Sequence, residues 1–184
     1  MSEVPASRPT SSRMARLATE RGPSAPPRSS ESGKKMSNVP DAIAITNLLY
    51  RYAELIDAGD YEGIGEHLAH AVITADASDH ETRGADAVAA MYHHTTRKYD
   101  DGTPLTKHVI TNPIVDVADD GLTGTCRSYY TVFQKAGDEP LRPIINGHYR
   151  DEFEKVNGEW RFSRRHMGVD HIGDVSLHLL IDLG

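Results

Sequence analysis

A chain of 184 residues with a net charge of −7 is long enough for one domain with a substantial core. The charge is uneven: residues 1–35 hold seven Arg or Lys against three Glu, whereas residues 36–184 hold 13 Arg or Lys against 24 Asp or Glu. An acidic folded part argues against nucleic acid as a partner, no apolar run approaches the ~20 residues that span a bilayer, and the start lacks the apolar stretch of a secretory signal, so the chain reads as cytoplasmic.

Residues 1–38 are rich in Ser, Pro and Arg (SRPTSSR, GPSAPPRSS) and have too few apolar residues to offset the entropy of ordering. They are expected to be a disordered, dispensable tail, with the folded domain over residues 39–184. Residues 41–58 carry apolar side chains at Ile45, Leu48, Leu49, Tyr52, Ala53, Leu55 and Ile56, the stripe of an amphipathic helix. Tyr52 sits mid-stripe and should face the interior. Asp57 lies five residues on, about 140° around an ideal helix, so it points inward only if the helix end turns it there. Asp41 is a candidate cap for this helix, Gly59 a candidate stop, and Asp60 a candidate cap for a second helix through about residue 69.

Residues 71–77 (AVITADA) alternate as a short strand, SDHETRG reads as a loop, and residues 84–99 as a third helix with Ala87, Val88, Met91 and Tyr92 inward. The period then changes. Strands are expected over residues 107–117, interrupted at Pro113 by a bulge or edge, then over 122–134, 144–155 and 160–167, the last two joined by a tight turn at VNGE. Cys126, the only cysteine, leaves no internal disulfide and reads as a small buried residue. Helices followed by a strand meander make an α+β domain, with helices on one face of a curved antiparallel sheet. The outer side of that sheet, with Tyr129, Thr131 and Phe133, is expected to form a two-fold homodimer.

RYAELIDAGD on a helix, HVITNPIV on a strand, a Gly-x-Tyr-x-Asp-x-Phe strand and N-G-x-W-R-F, in that order over residues 38–170, resemble the SnoaL-like family of the nuclear transport factor two-like superfold. The resemblance implies a cone-shaped half-barrel: a strongly curved sheet with helices across its open side, enclosing an apolar pocket. Such relatives include scytalone dehydratase, bile-acid dehydratase, ketosteroid isomerase, polyketide cyclases and small subunits of ring-hydroxylating dioxygenases, so fold alone does not fix function. Dehydratase-type relatives use a Tyr and an Asp of the first helix with a His on the sheet, which places those roles at Tyr52, Asp57 and His108. Where relatives often have Gly-Arg-Tyr, this chain has Gly147-His148-Tyr149.

A carboxylate beside an imidazole is a workable base pair: Asp57 orients the ring, His108 removes a proton, and Tyr52 donates to an oxygen gaining charge. These roles suit proton abstraction next to a carbonyl, then loss of water or migration of a double bond, with no metal or organic cofactor. Ile110 and Asn112 share the His108 face if the strand is regular. The expected substrate contacts are therefore Leu48, Ile56, Met91, Ile110 and Tyr130 as apolar wall, with Asn112 and His148 as polar contacts, around a small hydrophobic, polycyclic or steroid-like ligand. The alternatives are bland: Asp57 tying down the turn between two helices, Tyr52 as ordinary core, His108 as a structural histidine, and the whole chain as a non-catalytic ligand-binding or subunit-assembly module. The remaining histidines lack the spacing of three or four converging zinc ligands. Of Arg127, Arg150, Arg161, Arg164 and Arg165, most are expected on the solvated face of the sheet.

Overall fold

The computed structural model describes residues 40–76 and 78–181; the expected tail over residues 1–38 lies outside them. Helix α1 (Asp41–Asp57) buries Ile45, Leu49, Tyr52, Ala53, Leu55 and Ile56, the stripe that the sequence spacing predicts. Pro40 rather than Asp41 holds the cap position. The Asp41 carboxylate instead accepts from Lys155 Nζ at 2.6 Å and Trp160 Nε1 at 2.9 Å, pinning the helix start to the sheet. Gly59 adopts φ +69° and ends the helix, its N–H reaching back to the Ile56 carbonyl. Asp60 then caps helix α2 (Tyr61–His67), accepting from the Gly63 N–H at 2.9 Å.

After α2 come strands β1 (Val72–Ala75) and β2 (Ser78–Arg83), then helix α3 (Ala85–Thr95). The segment SDHETRG was expected to be a loop; most of it is β2, paired antiparallel with β1. Its polarity hid it, because β2 is the outermost strand of the sheet. An edge strand needs a partner for its backbone but no apolar face, and charged side chains there discourage further pairing.

Strands β3 (Thr106–Val117), β4 (Thr123–Gln134), β5 (Arg142–Val156) and β6 (Glu159–Ile172) form the meander. The sheet runs β2-β1-β6-β5-β4-β3, antiparallel throughout except for the parallel β1–β6 pair. The three helices pack on one side of this curved sheet, and their buried stripes meet Cys126, Tyr130, Val132, Ile144, Tyr149, Phe153 and Phe162 in a single core. Two irregularities in the strands matter for the site. The β3–β4 register shifts between Thr111 and Ile114, next to Asn112 at φ +53°. The β5–β6 register shifts between Glu152 and Phe153, where Phe153 faces Phe162 but Glu152 already faces Arg164. Ser163 is thus an extra residue, and the inward parity of β6 changes there. Among the described residues no helix is long and apolar enough to cross a membrane.

Candidate functional site

The last turn of α1 delivers Asp57 to the first residues of β3. Its Oδ1 lies 2.7 Å from His108 Nδ1, and the carboxylate also accepts the His108 backbone N–H at 3.0 Å and the Thr106 hydroxyl at 3.0 Å. The helix end does turn the acid inward, because a carboxylate placed there finds three donors from one strand end. Both side chains are enclosed, 8% exposed for Asp57 and 5% for His108. Burial alone would push the Asp57 carboxyl up. The His108 ring, its backbone N–H and the Thr106 hydroxyl outweigh that and hold Asp57 below the ordinary carboxylate range. An ionised Asp57 can only accept, so Nδ1 of His108 donates, and in the neutral ring Nε2 carries the lone pair.

Tyr52 is buried on the inner face of α1. Its hydroxyl lies 3.0 Å from that of Tyr92 on α3, and its ring stands edge-on to His108 at 6.4 Å between centroids. Two phenols joined by one hydrogen bond leave one hydroxyl proton for a third group; the Tyr92 hydroxyl lies 4.0 Å from Met167 Sδ, a weak acceptor that a ligand oxygen would displace. Burial, then the neighbouring Tyr52, pushes the Tyr92 phenol well above its ordinary value, so Tyr92 stays protonated and serves as a donor rather than a base.

Tyr52, Tyr92 and His108 border a cavity of about 470 Å³, with Asp57 behind His108, within the range of small-molecule sites. Its wall comes from every layer of the fold: Tyr52 and Ile56 of α1, Met91 and Tyr92 of α3, His108 of β3, and Tyr130 and Val132 of β4. Strands β5 and β6 add Ile145, Tyr149, Met167 and Val169, and the segment after β6 adds His178, Leu179 and Ile181. Tyr130 is a fixed wall, stacked on Tyr149 at 4.5 Å with its hydroxyl given to the Gly168 carbonyl at 3.1 Å.

Of the residues expected from the sequence, Tyr52, Asp57 and His108 converge, and Ile56, Met91 and Tyr130 line the cavity. The other four do not. Leu48 and Ile110 are partly buried and pack against the core instead. Asn112 lies at the β3 bulge, which breaks the alternation that would have kept it on the His108 face. It lines a separate hollow with Tyr129, His148 and Asp170. His148 points the same way, its Nδ1 3.0 Å from Asp170 Oδ1, because alternation along β5 gives the inward place to Tyr149.

Two features escaped the sequence. Arg165 is completely buried, with its Nε and an Nη each 2.9 Å from the two carboxylate oxygens of Asp151. Its guanidinium lies 4.3 Å from the ring centres of both Tyr52 and Tyr149. Burial opposes the charge, yet the Asp151 carboxylate holds the guanidinium protonated beyond its ordinary range. The sequence placed most of the five sheet arginines on the solvated face and singled out none, and the extra residue at Ser163 is what turns Arg165 inward; an acid at Asp151, on the inward parity of Tyr149 and Phe153, was the signal for a buried cation. The second missed feature is His178, which lies in a segment without regular periodicity.

The architecture and its enclosed base pair define a half-barrel domain of helices on a curved sheet with a small-molecule cavity. The chain belongs to the SnoaL-like domain family, whose model matches residues 37–166. No protein of curated function matches it. Among solved structures, it is similar to an NTF2-like protein with a cystatin-like fold from Novosphingobium aromaticivorans. That likeness has a TM-score of 0.58 and 23% identity, over 70% of this chain and 81% of that one. A protein of the same organism provisionally named a scytalone dehydratase has a TM-score of 0.58 and 20% identity, over 75% and 89%. ActVI-ORFA of Streptomyces coelicolor has a TM-score of 0.57 and 15% identity, over 71% and 97%. Likeness at these identities establishes the shared fold.

Proposed function

We propose that the protein is a cofactor-independent dehydratase or isomerase that removes a proton next to a carbonyl of a small hydrophobic, ring-containing substrate. The observation that carries this reading is the 2.7 Å contact between Asp57 and His108 at the wall of a mostly apolar cavity. Asp57 accepts the Nδ1 proton and fixes the tautomer, so Nε2 is the base. As Nε2 takes a proton from the carbon beside the carbonyl, the electron pair moves onto the carbonyl oxygen, where the free hydroxyl proton of the Tyr52–Tyr92 pair meets the developing charge. In a dehydration, the enolate expels a hydroxide from the next carbon, and the imidazolium returns its proton to that oxygen, releasing water. In an isomerisation the same proton returns to a different carbon. Asp57 stays ionised throughout and stabilises the imidazolium between the two steps.

The test is to screen bicyclic and tricyclic β-hydroxy ketones for loss of water, followed by ultraviolet absorption of the conjugated product. His108→Ala and Asp57→Asn should each lower turnover by about 10²–10⁴-fold, the usual worth of a general base. A substrate turned over at full rate by a folded His108→Ala protein would sink the assignment and leave a ligand-binding module as the better reading.

A further inference from the structure

His178 lies on the stretch that follows β6, outside every helix and strand. That stretch is tied down closely. The His178 carbonyl accepts from the Arg97 N–H at 2.8 Å, the Leu180 N–H reaches Thr95 at 2.9 Å, and the Leu177 carbonyl receives the Tyr99 hydroxyl at 2.6 Å and Gln134 Nε2 at 3.1 Å. The backbone therefore acts as a strap across one side of the cavity, and the ring it carries has a set position.

That ring borders the cavity, is only 5% exposed, and its Nδ1 is buried with no hydrogen-bond partner among the described residues. A structural histidine in a core is normally satisfied, as His67 is by the Leu48 carbonyl at 2.9 Å. An unpaired lone pair is less costly to enclose than an unpaired N–H, so Nδ1 is the bare nitrogen and the proton belongs on Nε2. With Nδ1 enclosed, the ring edge left to face the cavity carries Nε2. Burial, and then the neighbouring His108, lower the pKa of His178 to about 4, against a smaller opposite pull from Asp57. The imidazole is thus a neutral donor near neutral pH, a form that can polarise a carbonyl without surrendering its proton.

We propose that His178 is a ligand-contacting donor, its Nε2–H hydrogen-bonding a carbonyl oxygen of the molecule bound in the cavity. This rests on the ketone-substrate reading above and adds a second donor, supplied by the strap, to the phenol pair on the helices. It also selects ligands: a bound molecule without an oxygen at that point leaves an enclosed polar group unpaired.

Binding rather than turnover tests it, so a failure here is separable from a failure of the catalytic reading. The probes are 1-tetralone, a bicyclic ketone, and tetralin, the same skeleton without the oxygen. Dissociation constants for the full-length protein come from chemical-shift titration, with circular dichroism as the check of folding. His178→Phe should weaken 1-tetralone binding by about 3–10-fold more than it weakens tetralin, the worth of one net hydrogen bond. His178→Gln, which keeps an N–H donor, should recover part of that difference. In nitrogen-15 imidazole spectra of the unaltered protein, His178 should be protonated at Nε2, and 1-tetralone should shift that signal more than tetralin does. Equal loss for both compounds, a proton found at Nδ1, or no binding of either compound by the folded protein would each overturn the proposal. Should the Phe variant not fold, the Gln variant and the spectra carry the same decision.

Discussion

Asp57 with His108 and Asp151 with Arg165 are both carboxylates enclosed against a nitrogen base, at 2.7 Å and 2.9 Å. They are built from the same elements of physics but differ in two respects. Arg165 cannot release a proton in a protein and is fully enclosed among Tyr52, Tyr149 and Phe162. His108 can, and it stands at the cavity wall. A buried pair whose cation keeps its proton can only hold the structure; one whose ring nitrogen can exchange a proton and meets a cavity can move protons. The difference teaches which pair to disturb for activity and which for stability.

The largest expected effect is on turnover. His108→Ala should reduce it by about 10²–10⁴-fold, with a smaller loss of stability than Arg165→Met because Asp57 keeps the residue-108 backbone N–H and the Thr106 hydroxyl, whereas Arg165→Met should show the reverse priority. Removing one partner of a buried pair leaves the other charged and unpaired, at a cost of about 3–5 kcal/mol. Denaturant unfolding of Arg165→Met should therefore shift sharply. The double variant Arg165→Met, Asp151→Leu should recover much of the loss, since an apolar pair of similar size is often no worse than the ion pair. A double variant as unstable as the single one would break the comparison, because it would mean that Arg165 contributes through something other than Asp151.

Next in size is the response to acid. His178 gains its proton at about 4 in the folded protein, against an ordinary value of 6.5. Between those values the unfolded chain binds more protons than the native one, so stability falls as pH drops through that window. The span corresponds to at most about 3–4 kcal/mol. Asp57 acts in the same direction at lower pH: its carboxyl is held below the ordinary range, so its contribution is lost as pH falls through the native value. The cavity wall thus contributes to the acid sensitivity of the molecule. Chemical denaturation of His178→Phe at pH 7 and pH 4.5 should show a smaller loss than the unaltered protein. An unchanged loss would place the acid sensitivity elsewhere.

The same two pairs show what a sequence can carry. The cavity pair was legible because Asp57 and His108 sit at the ends of strongly patterned elements, a helix stripe closed by Gly59 and a strand opening at Thr106. Regular alternation then failed at each bulge. It put Asn112 beside His108 although the β3 irregularity turns it to the other face, and it could not single out Arg165 among the five sheet arginines because Ser163 inserts an extra residue before it. Bulges have no fixed residue signature, so parity beyond one is lost. The polar edge strand β2 and the irregular strap with His178 were hidden for a related reason: neither is held by an apolar period, only by backbone hydrogen bonds to distant segments.

Tyr52 joins the two regions, and its substitution is the finest test of their separation. The ring face lies 4.3 Å from the Arg165 guanidinium, while the hydroxyl meets Tyr92 at 3.0 Å beside His108. Tyr52→Phe keeps the ring and removes only the hydroxyl. It should leave the core pair intact, with a stability change under about 1.5 kcal/mol, the net worth of one hydrogen bond. Turnover should fall more than about tenfold but less than for His108→Ala, since one donor to a developing oxyanion is worth at most about 2.7–4 kcal/mol. Tyr92 is positioned to supply the remaining donor, so Tyr52→Phe combined with Tyr92→Phe should lose more than the sum of the two single changes. Tyr52→Leu, by contrast, withdraws the aromatic face from Arg165 and should lose stability as well as turnover. If Phe and Leu at this position behaved alike in both assays, the ring would have no part in the core, and the division between a structural and a reactive pair would rest on Arg165 alone.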